Sequence, residues 1–279
     1  MEARKAKHGW IWTTLFSVIS VAWVFPIFLF VLNSCKKKVY ISKKPFALPT
    51  GKMFVGLENY VNGINKTGLI SAFGWSVFIT VFSVAAIILF CSMTAWYITR
   101  VKSKVTSTIY YLCLFSMIVP FQMVMYTLSK IANMLKLGNP VGIIVVYLGF
   151  GAGLSVFMFT GFCKSIPIEI EEAAMIDGCN PLQTFFKVVM PIMKPTCITV
   201  TILQAMWIWN DYLLPSLVLD QKKYKTIPIA VQYLKGGYGS VDMGAMMGVL
   251  VIAIVPIIIF YIACQRYIIE GVVAGAVKG

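Results

Sequence analysis

Two stretches concentrate the polar chemistry of an otherwise apolar chain. Residues 164–195 lie between two long apolar runs and hold four of the ten acidic residues: Glu169, Glu171, Glu172 and Asp177. Residues 204–215 read Gln204-Ala205-Met206-Trp207-Ile208-Trp209-Asn210-Asp211-Tyr212-Leu213-Leu214-Pro215, which puts amides, a carboxylate and two indoles inside an apolar run. Little else points to reactive chemistry. The single histidine, His8, sits near the N-terminus, and the seven cysteines contain no C-x-x-C pair. An intramembrane enzyme would need a nucleophile–base set or H-E-x-x-H, and neither is found. A disulfide framework or a metal site is not expected.

The acidic stretch reads as a helical hairpin. Ser165-Ile166-Pro167 suits a helix start, with proline near the first turn and acids after it. Ile170, Ala173, Ala174 and Asp177 then fall at i, i+3, i+4, i+7 spacing, and the two alanines would let a partner surface approach closely. Gly178 suits a left-handed C-terminal cap. Asn180-Pro181 restarts a helix with Gln183 at capping-box spacing, and Pro191 and Pro195 are expected to end it. From these residues alone, a solvated hairpin and a docking surface remain open.

The second stretch poses a cost. An ionised acid at a bilayer centre costs about 2.5–3.5 kcal/mol, so Asp211 should face a cavity or a partner. Pro215 frees the carbonyl of Asp211, four residues back, and weakens a helix there. Ring faces match the C–H face of a sugar, and the polar groups match its hydroxyls. Asp211 either caps a kink or pairs with Gln204 or a neighbouring helix, or it lines a translocation route with Trp207 and Asn210.

The elements that must carry these groups are membrane helices. The chain is 59% hydrophobic and 12% charged, with mean hydropathy +0.84. Soluble domains are about half apolar and a quarter charged. Six runs are long enough to cross a bilayer, at about 10–32, 72–98, 106–128, 141–163, 196–219 and 244–265. The first exceeds a signal-peptide core, so it is read as retained. The net charge of +14 is spread over many loops, which fits a membrane protein near anionic lipid rather than a nucleic-acid binder. With the N-terminus inside, eleven basic residues fall inside and thirteen outside; the density at Arg100, Lys102 and Lys104 favours that orientation. Gly149/Gly153 and Gly244/Gly248 are G-x-x-x-G pairs, which either mark close helix approach or reflect the general abundance of glycine in membrane helices.

Glu172-Ala173-Ala174, Gly178 and Val188-Val189-Met190-Pro191 fall at the spacing of the E-A-A coupling loop of binding-protein-dependent ABC importer permeases, with Met190 in place of the usual Leu. Trp209-Asn210-Asp211-Tyr212 through Pro215, Thr226-Ile227-Pro228, and Met117-Ile118-Val119-Pro120 with Gln122 are similar to runs of the carbohydrate branch. The end of the chain, Gln265-Arg266-Tyr267 through Gly271, Gly275 and Lys278 to Gly279, resembles the tail of the maltose-type second permease subunit. The resemblance runs from about Pro26 to the end.

The resemblance implies an all-α integral membrane protein with six transmembrane helices and the type I ABC importer permease fold. It implies a second permease subunit, two ATPase copies using ATP and Mg on separate chains, an external solute-binding protein and a sugar cargo. No cofactor is expected on this chain. Glu172, Ala173, Ala174, Asp177, Gly178 and Pro191 would meet the ATPase, as would Gly271, Gly275 and Lys278 in the tail. Gln122, Trp207, Asn210 and Asp211 would line the pathway. Residues 1–33 would form the cytoplasmic N-terminus and first helix, 34–71 an extracellular loop, 72–265 the core and 266–279 a cytoplasmic tail, in a bacterial inner membrane. From the residues alone, Gly271 and Gly275 argue against a stable solvated helix, leaving either a frayed end or a segment that orders on a partner. A permease for another solute would show acid-rich or Arg-rich spans, and a secondary transporter would show matched broken helices in inverted halves; neither pattern is seen.

Overall fold

The computed structural model describes residues 9–234 and 241–276, with side chains through Tyr267. It is helical: α1 Gly9–Ser34, α2 Lys38–Lys43, α3 Glu58–Thr67, α4 Leu69–Arg100, α5 Lys104–Ile118, α6 Phe121–Met134, α7 Pro140–Cys163, α8 Ile168–Ile176, α9 Pro181–Thr184, α10 Met190–Ile192, α11 Lys194–Asn210, α12 Leu213–Val218, α13 Ile227–Gln232 and α14 Met243–Ala276. Among the described residues, four helices, α1, α4, α7 and Met243–Tyr267 of α14, are long and apolar enough to cross a membrane. The number is six if the bent pairs α5–α6 and Pro181–Ile192 with α11 each count as one span.

The third expected span, 106–128, is therefore not one straight helix. It breaks at Val119-Pro120, and α5 and α6 are bent by 110°. Val119 is extended, at φ −73° and ψ 116°, because a following proline disfavours helical backbone. The fifth, 196–219, breaks at Asp211. Pro191 does not end its helix either. A π-helical turn over Phe185–Val189 absorbs it, and the 77° bend falls later, before Lys194. Pro191 lacks the N–H that the Lys187 carbonyl would bind, and a widened turn accommodates its ring.

The chain divides into two compact units, Met1–Ile70 with Ala230–Pro256, and Ser71–Ile229 with Ile257–Gly279. In the first, the 34–71 segment is ordered. Asn59 of α3 donates from Nδ2 to the carbonyls of Ser34 (2.7 Å) and Lys36 (2.8 Å), and the hydroxyls of Ser34 and Tyr60 meet at 2.6 Å. The buried Lys36 ammonium donates to Asn33 Oδ1 and to the carbonyls of Lys44 and Pro45, at 2.9–3.0 Å. A Cβ on Gly244 would lie 2.4 Å from Asn59 Oδ1, and one on Gly248 would lie 3.1 Å from the Asn59 backbone. The Gly244/Gly248 pair thus seats α3. In the second unit, only Gly153 of the Gly149/Gly153 pair is at a close approach, against Cys113, Ser116 and Met117 of α5. Its core joins α4, α7 and the segment after α8 through Ile79, Ile87, Tyr147, Phe159, Phe185 and Met193.

Candidate functional site

The hairpin forms as its local chemistry dictates. Pro167 is the N-cap of α8, with Glu169 and Glu171 in the first turn. Gly178 has φ +85°; its N–H donates to Met175 O and the Cys179 N–H to Ala174 O, both at 3.0 Å. That pair of bonds is a Schellman motif with glycine in the left-handed position. Asn180 and Gln183 close a reciprocal capping box at 2.9 Å on both sides, starting α9.

One residue that motif spacing did not single out fixes the hairpin in place. Glu171 is only 1% exposed. Its Oε1 accepts from Arg100 Nε (2.9 Å) and Nη2 (2.7 Å), and its Oε2 accepts from the Trp96 indole (2.9 Å). Arg100 Nη2 also donates to the Ile166 carbonyl at 2.9 Å. The carboxylate is thus bonded on both oxygens, as a buried charge requires. The sequence signal was faint: an acid next to the E-A-A run and an arginine in a short basic loop.

This pin sets the rotation of α8 and corrects the expected face. Ala174, one turn from Glu171, is 8% exposed and packs inward, while Ala173, Ile170, Glu172 and Asp177 are exposed. The outward surface is instead apolar around Ile176, 85% exposed, with Leu182 and Phe186 also exposed.

The break in the fifth expected span is built around Asp211. α11 ends at Asn210, and Asp211 is extended at ψ 122°. Its Oδ1 accepts from the Leu213 (2.9 Å) and Leu214 (3.3 Å) amides at the start of α12, and its Oδ2 accepts from the Tyr147 hydroxyl at 3.1 Å. Asp211 therefore caps a kink and pairs with α7, the structural arrangement left open above. Gln204 pairs elsewhere, donating to Ser155 Oγ (3.0 Å) and Gly151 O (3.3 Å). Trp207 stands edge-to-face on Tyr147, centroids 5.5 Å apart, so Tyr147 joins Trp207 and Asp211. Asn210 is exposed and folds back to the Met206 carbonyl at 2.7 Å. Gln122 is exposed on the first turn of α6 and makes no hydrogen bond with these three. Tyr147 left no sequence signal beyond one phenol in an apolar run. The segments beyond the two breaks pack together: Ser129 of α6 donates to the Leu217 carbonyl of α12 at 3.1 Å.

At the tail, α14 runs as helix through Ala276, including Gly271 and Gly275. The residues alone argue against a stable solvated helix there, and the structure instead continues α14 through both glycines. Each costs about 1 kcal/mol, but both lie near the end of a 34-residue helix, and continuing a helix needs no new nucleus. Lys278 lies outside the described residues.

These features agree with what the chain is similar to. Residues 88–273 match the family described as binding-protein-dependent transport system inner membrane component. The probable starch degradation products transport system permease protein AmyC of Thermoanaerobacterium thermosulfurigenes is 39% identical over 95% of this chain and 96% of its own. The multiple sugar-binding transport system permease protein MsmG of Streptococcus mutans is 33% identical over 99% of both. The melibiose/raffinose/stachyose import permease protein MelC of Bacillus subtilis is 29% identical over the full length of both. A solved chain from a bacterial ABC transporter involved in the import of the acidic polysaccharide alginate superposes with TM-score 0.79 at 20% identity, over 96% of this chain and 99% of that one, and so shares the fold. The chain is an integral membrane protein that belongs to the binding-protein-dependent transport system inner membrane component family.

Proposed function

We propose that this chain is one permease subunit of an ATP-driven sugar importer, forming half of the translocation pathway and coupling it to a separate ATPase. The observation that carries the coupling role is the hairpin of residues 164–195: capped at Gly178, tied to α4 through Glu171, and apolar on its outer side at Ile176. An exposed apolar surface on an internally bonded hairpin suits a protein partner. Glu172, Ala173, Asp177, Gly178 and Pro191 are exposed on the hairpin, and the buried Ala174 packs beneath. The sugar cargo is supported by the names of the relatives, which refer to starch degradation products, multiple sugars and melibiose, raffinose or stachyose.

Membership of the family supports the partners of this reading, which are a second, different permease subunit, two ATPase copies that use ATP and Mg, and an external solute-binding protein. The hairpin would then face the cytoplasm, as would both chain ends, with Gly271, Gly275 and Lys278 reaching the ATPase. Trp207, Asn210, Asp211 and Gln122 are the pathway residues in this reading.

The test is reconstitution of this chain with its partner subunits in proteoliposomes. ATP hydrolysis stimulated by sugar-loaded binding protein, together with sugar uptake, is expected. Uptake that proceeds without the ATPase would reject the reading. Cysteine labelling in intact cells should reach 36–66 and 222–240 and miss 100–104 and 170–190.

A further inference from the structure

Where α4, α5, α7 and α8 converge, a cavity of about 750 Å³ opens beside the hairpin. Its wall carries Arg100, Lys102, Lys164, Ser107, Tyr110 and Thr160. An adjoining shallow surface depression of about 620 Å³ shares Lys102, Ser107 and Tyr111 and adds Lys104 and Thr108. Among the described residues, no carboxylate lines either one. Arg100 is committed to Glu171. Among the described residues, Lys102, Lys104 and Lys164 have no carboxylate partner. The Lys164 ammonium lies 5.8 Å from the centroid of the Tyr110 ring, a cation–π distance that holds it at the wall. Thr160 is 2% exposed, and its hydroxyl has no hydrogen-bond partner. Buried hydroxyls are rarely left so.

A second feature lies on the same helix. From Thr108, at the depression, the exposed side of α5 continues through Leu112, Phe115 and Ile118, each of which is more than half exposed. Ten residues of helix at 1.5 Å per residue make this rail about 15 Å long, half the roughly 30 Å hydrocarbon thickness of a bilayer. Cations and hydroxyls at one end and an apolar rail of one leaflet's depth fit a molecule with an anionic head and an acyl chain.

We propose that this cavity binds the phosphate headgroup of an anionic phospholipid, with Lys102 and Lys164 on the phosphate and an acyl chain along Leu112, Phe115 and Ile118. Lys104 lies at the mouth, and a headgroup oxygen at the inner wall supplies the partner that Thr160 lacks. Basic pockets between membrane helices are suited to such headgroups. The site neighbours the Arg100–Glu171 pair, so a bound lipid would brace the hairpin from the membrane side. The proposal rests on the membrane fold and does not depend on the cargo.

The test uses the assembled transporter, delipidated in detergent and observed by native mass spectrometry. Phosphatidylglycerol should bind at least about tenfold more weakly to K102Q/K164Q than to the parent, while K102R/K164R retains binding. T160V should weaken it about threefold. Co-purification of the partner subunits verifies assembly of each variant. Equal phosphatidylglycerol binding in the parent and K102Q/K164Q overturns the site. Equal binding of phosphatidylcholine and phosphatidylglycerol by the parent reduces it to the apolar rail and also overturns it. Displacement of phosphatidylglycerol by millimolar inorganic phosphate would assign the cavity to a free anion instead. A photocrosslinker at Ser107 that captures the partner permease rather than lipid would show that protein fills it.

Discussion

Arg100, in the last turn of α4, grips Glu171, in the first turn of α8, through two nitrogens on one carboxylate oxygen, and the other oxygen belongs to Trp96. The 32-residue α4 is thereby joined to the hairpin through a buried carboxylate, beside the Arg100–Ile166 carbonyl bond and the contact of Trp96 with Phe185. Such a joint can pass movement between the two because it has little freedom to slip.

Arg100→Met should leave Glu171 buried and uncompensated, costing about 3–5 kcal/mol. Arg100→Met combined with Glu171→Met should cost less than the single change, because no orphan charge remains. Trp96→Phe removes one bond and should cost about 1–3 kcal/mol. Thermal melting in detergent gives the order of these losses. A double variant no more stable than Arg100→Met would contradict the account.

Gly178 occupies φ +85° with open space around the position of a Cβ, so substitution there strains backbone rather than packing. Gly178→Val should weaken the hairpin by about 1–2 kcal/mol, and Gly178→Asn by less, since asparagine tolerates the left-handed region. The chain should still insert, while ATPase co-purification and uptake fall in Val and largely persist in Asn. If Val and Asn behave alike, the cap is not what matters there.

Two glycine pairs of the same spacing should respond differently. Gly244→Ala presses a methyl against Asn59 Oδ1 and should cost about 1–3 kcal/mol through overpacking. Gly149→Ala meets nothing within 4 Å and should be near neutral. Melting temperatures of the two purified variants separate the cases directly.

Lys66 and Asp242 pair between α3 and the start of α14. The hydrogen bond from Lys66 holds the Asp242 carboxyl below its ordinary value, with partial burial opposing it. A depressed carboxylate contributes stability that is full above its unfolded value near 4 and is lost as pH falls through the folded value. The Lys66 side chain is 57% exposed and that of Asp242 32% exposed, so solvent screens the pair and the contribution should be at most about 1 kcal/mol. Asp242→Asn should lower the melting temperature at pH 7 and make progressively less difference below pH 4. A gap that widens in acid would reverse the sign of this linkage.

What the sequence disclosed was local. The Gly178 and Asn180 caps involve bonds across at most five positions, and residue type alone announces them. The apolar runs announce the spans because the bilayer fixes their length. The contacts that place the site are long-range: Arg100 and Glu171 are 71 positions apart, and Tyr147 and Asp211 are 64 apart. A single chain carries no signal of which acid meets which base. The break at Pro120 was visible in principle, since residues before proline avoid helix, but counting apolar length conceals it. Ala174 faced the wrong way because i, i+3, i+4 spacing defines a stripe without saying which edge Glu171 will pull inward.

Asp211 carries the most informative test, because its two oxygens do different things. Oδ1 caps α12, and Oδ2 receives the Tyr147 hydroxyl. Asp211→Asn keeps an oxygen for the cap and removes the charge, so the break should persist and the complex should assemble. Asp211→Ala removes the cap and should cost about 0.5–2 kcal/mol, as cap losses do. Tyr147→Phe frees Oδ2 and leaves the ring against Trp207. If the carboxylate serves the passing sugar or holds the broken helix open, uptake should fall several-fold in Asp211→Asn with assembly unchanged. Tyr147→Phe should then alter uptake while leaving the fold intact. Labelled-sugar uptake beside subunit co-purification reads both, with Asn210→Ala as the neighbouring comparison. Uptake unchanged in Asp211→Asn and Asn210→Ala, with loss of assembly in Asp211→Ala, would confine Asp211 to capping the kink and leave sugar contact to the partner permease.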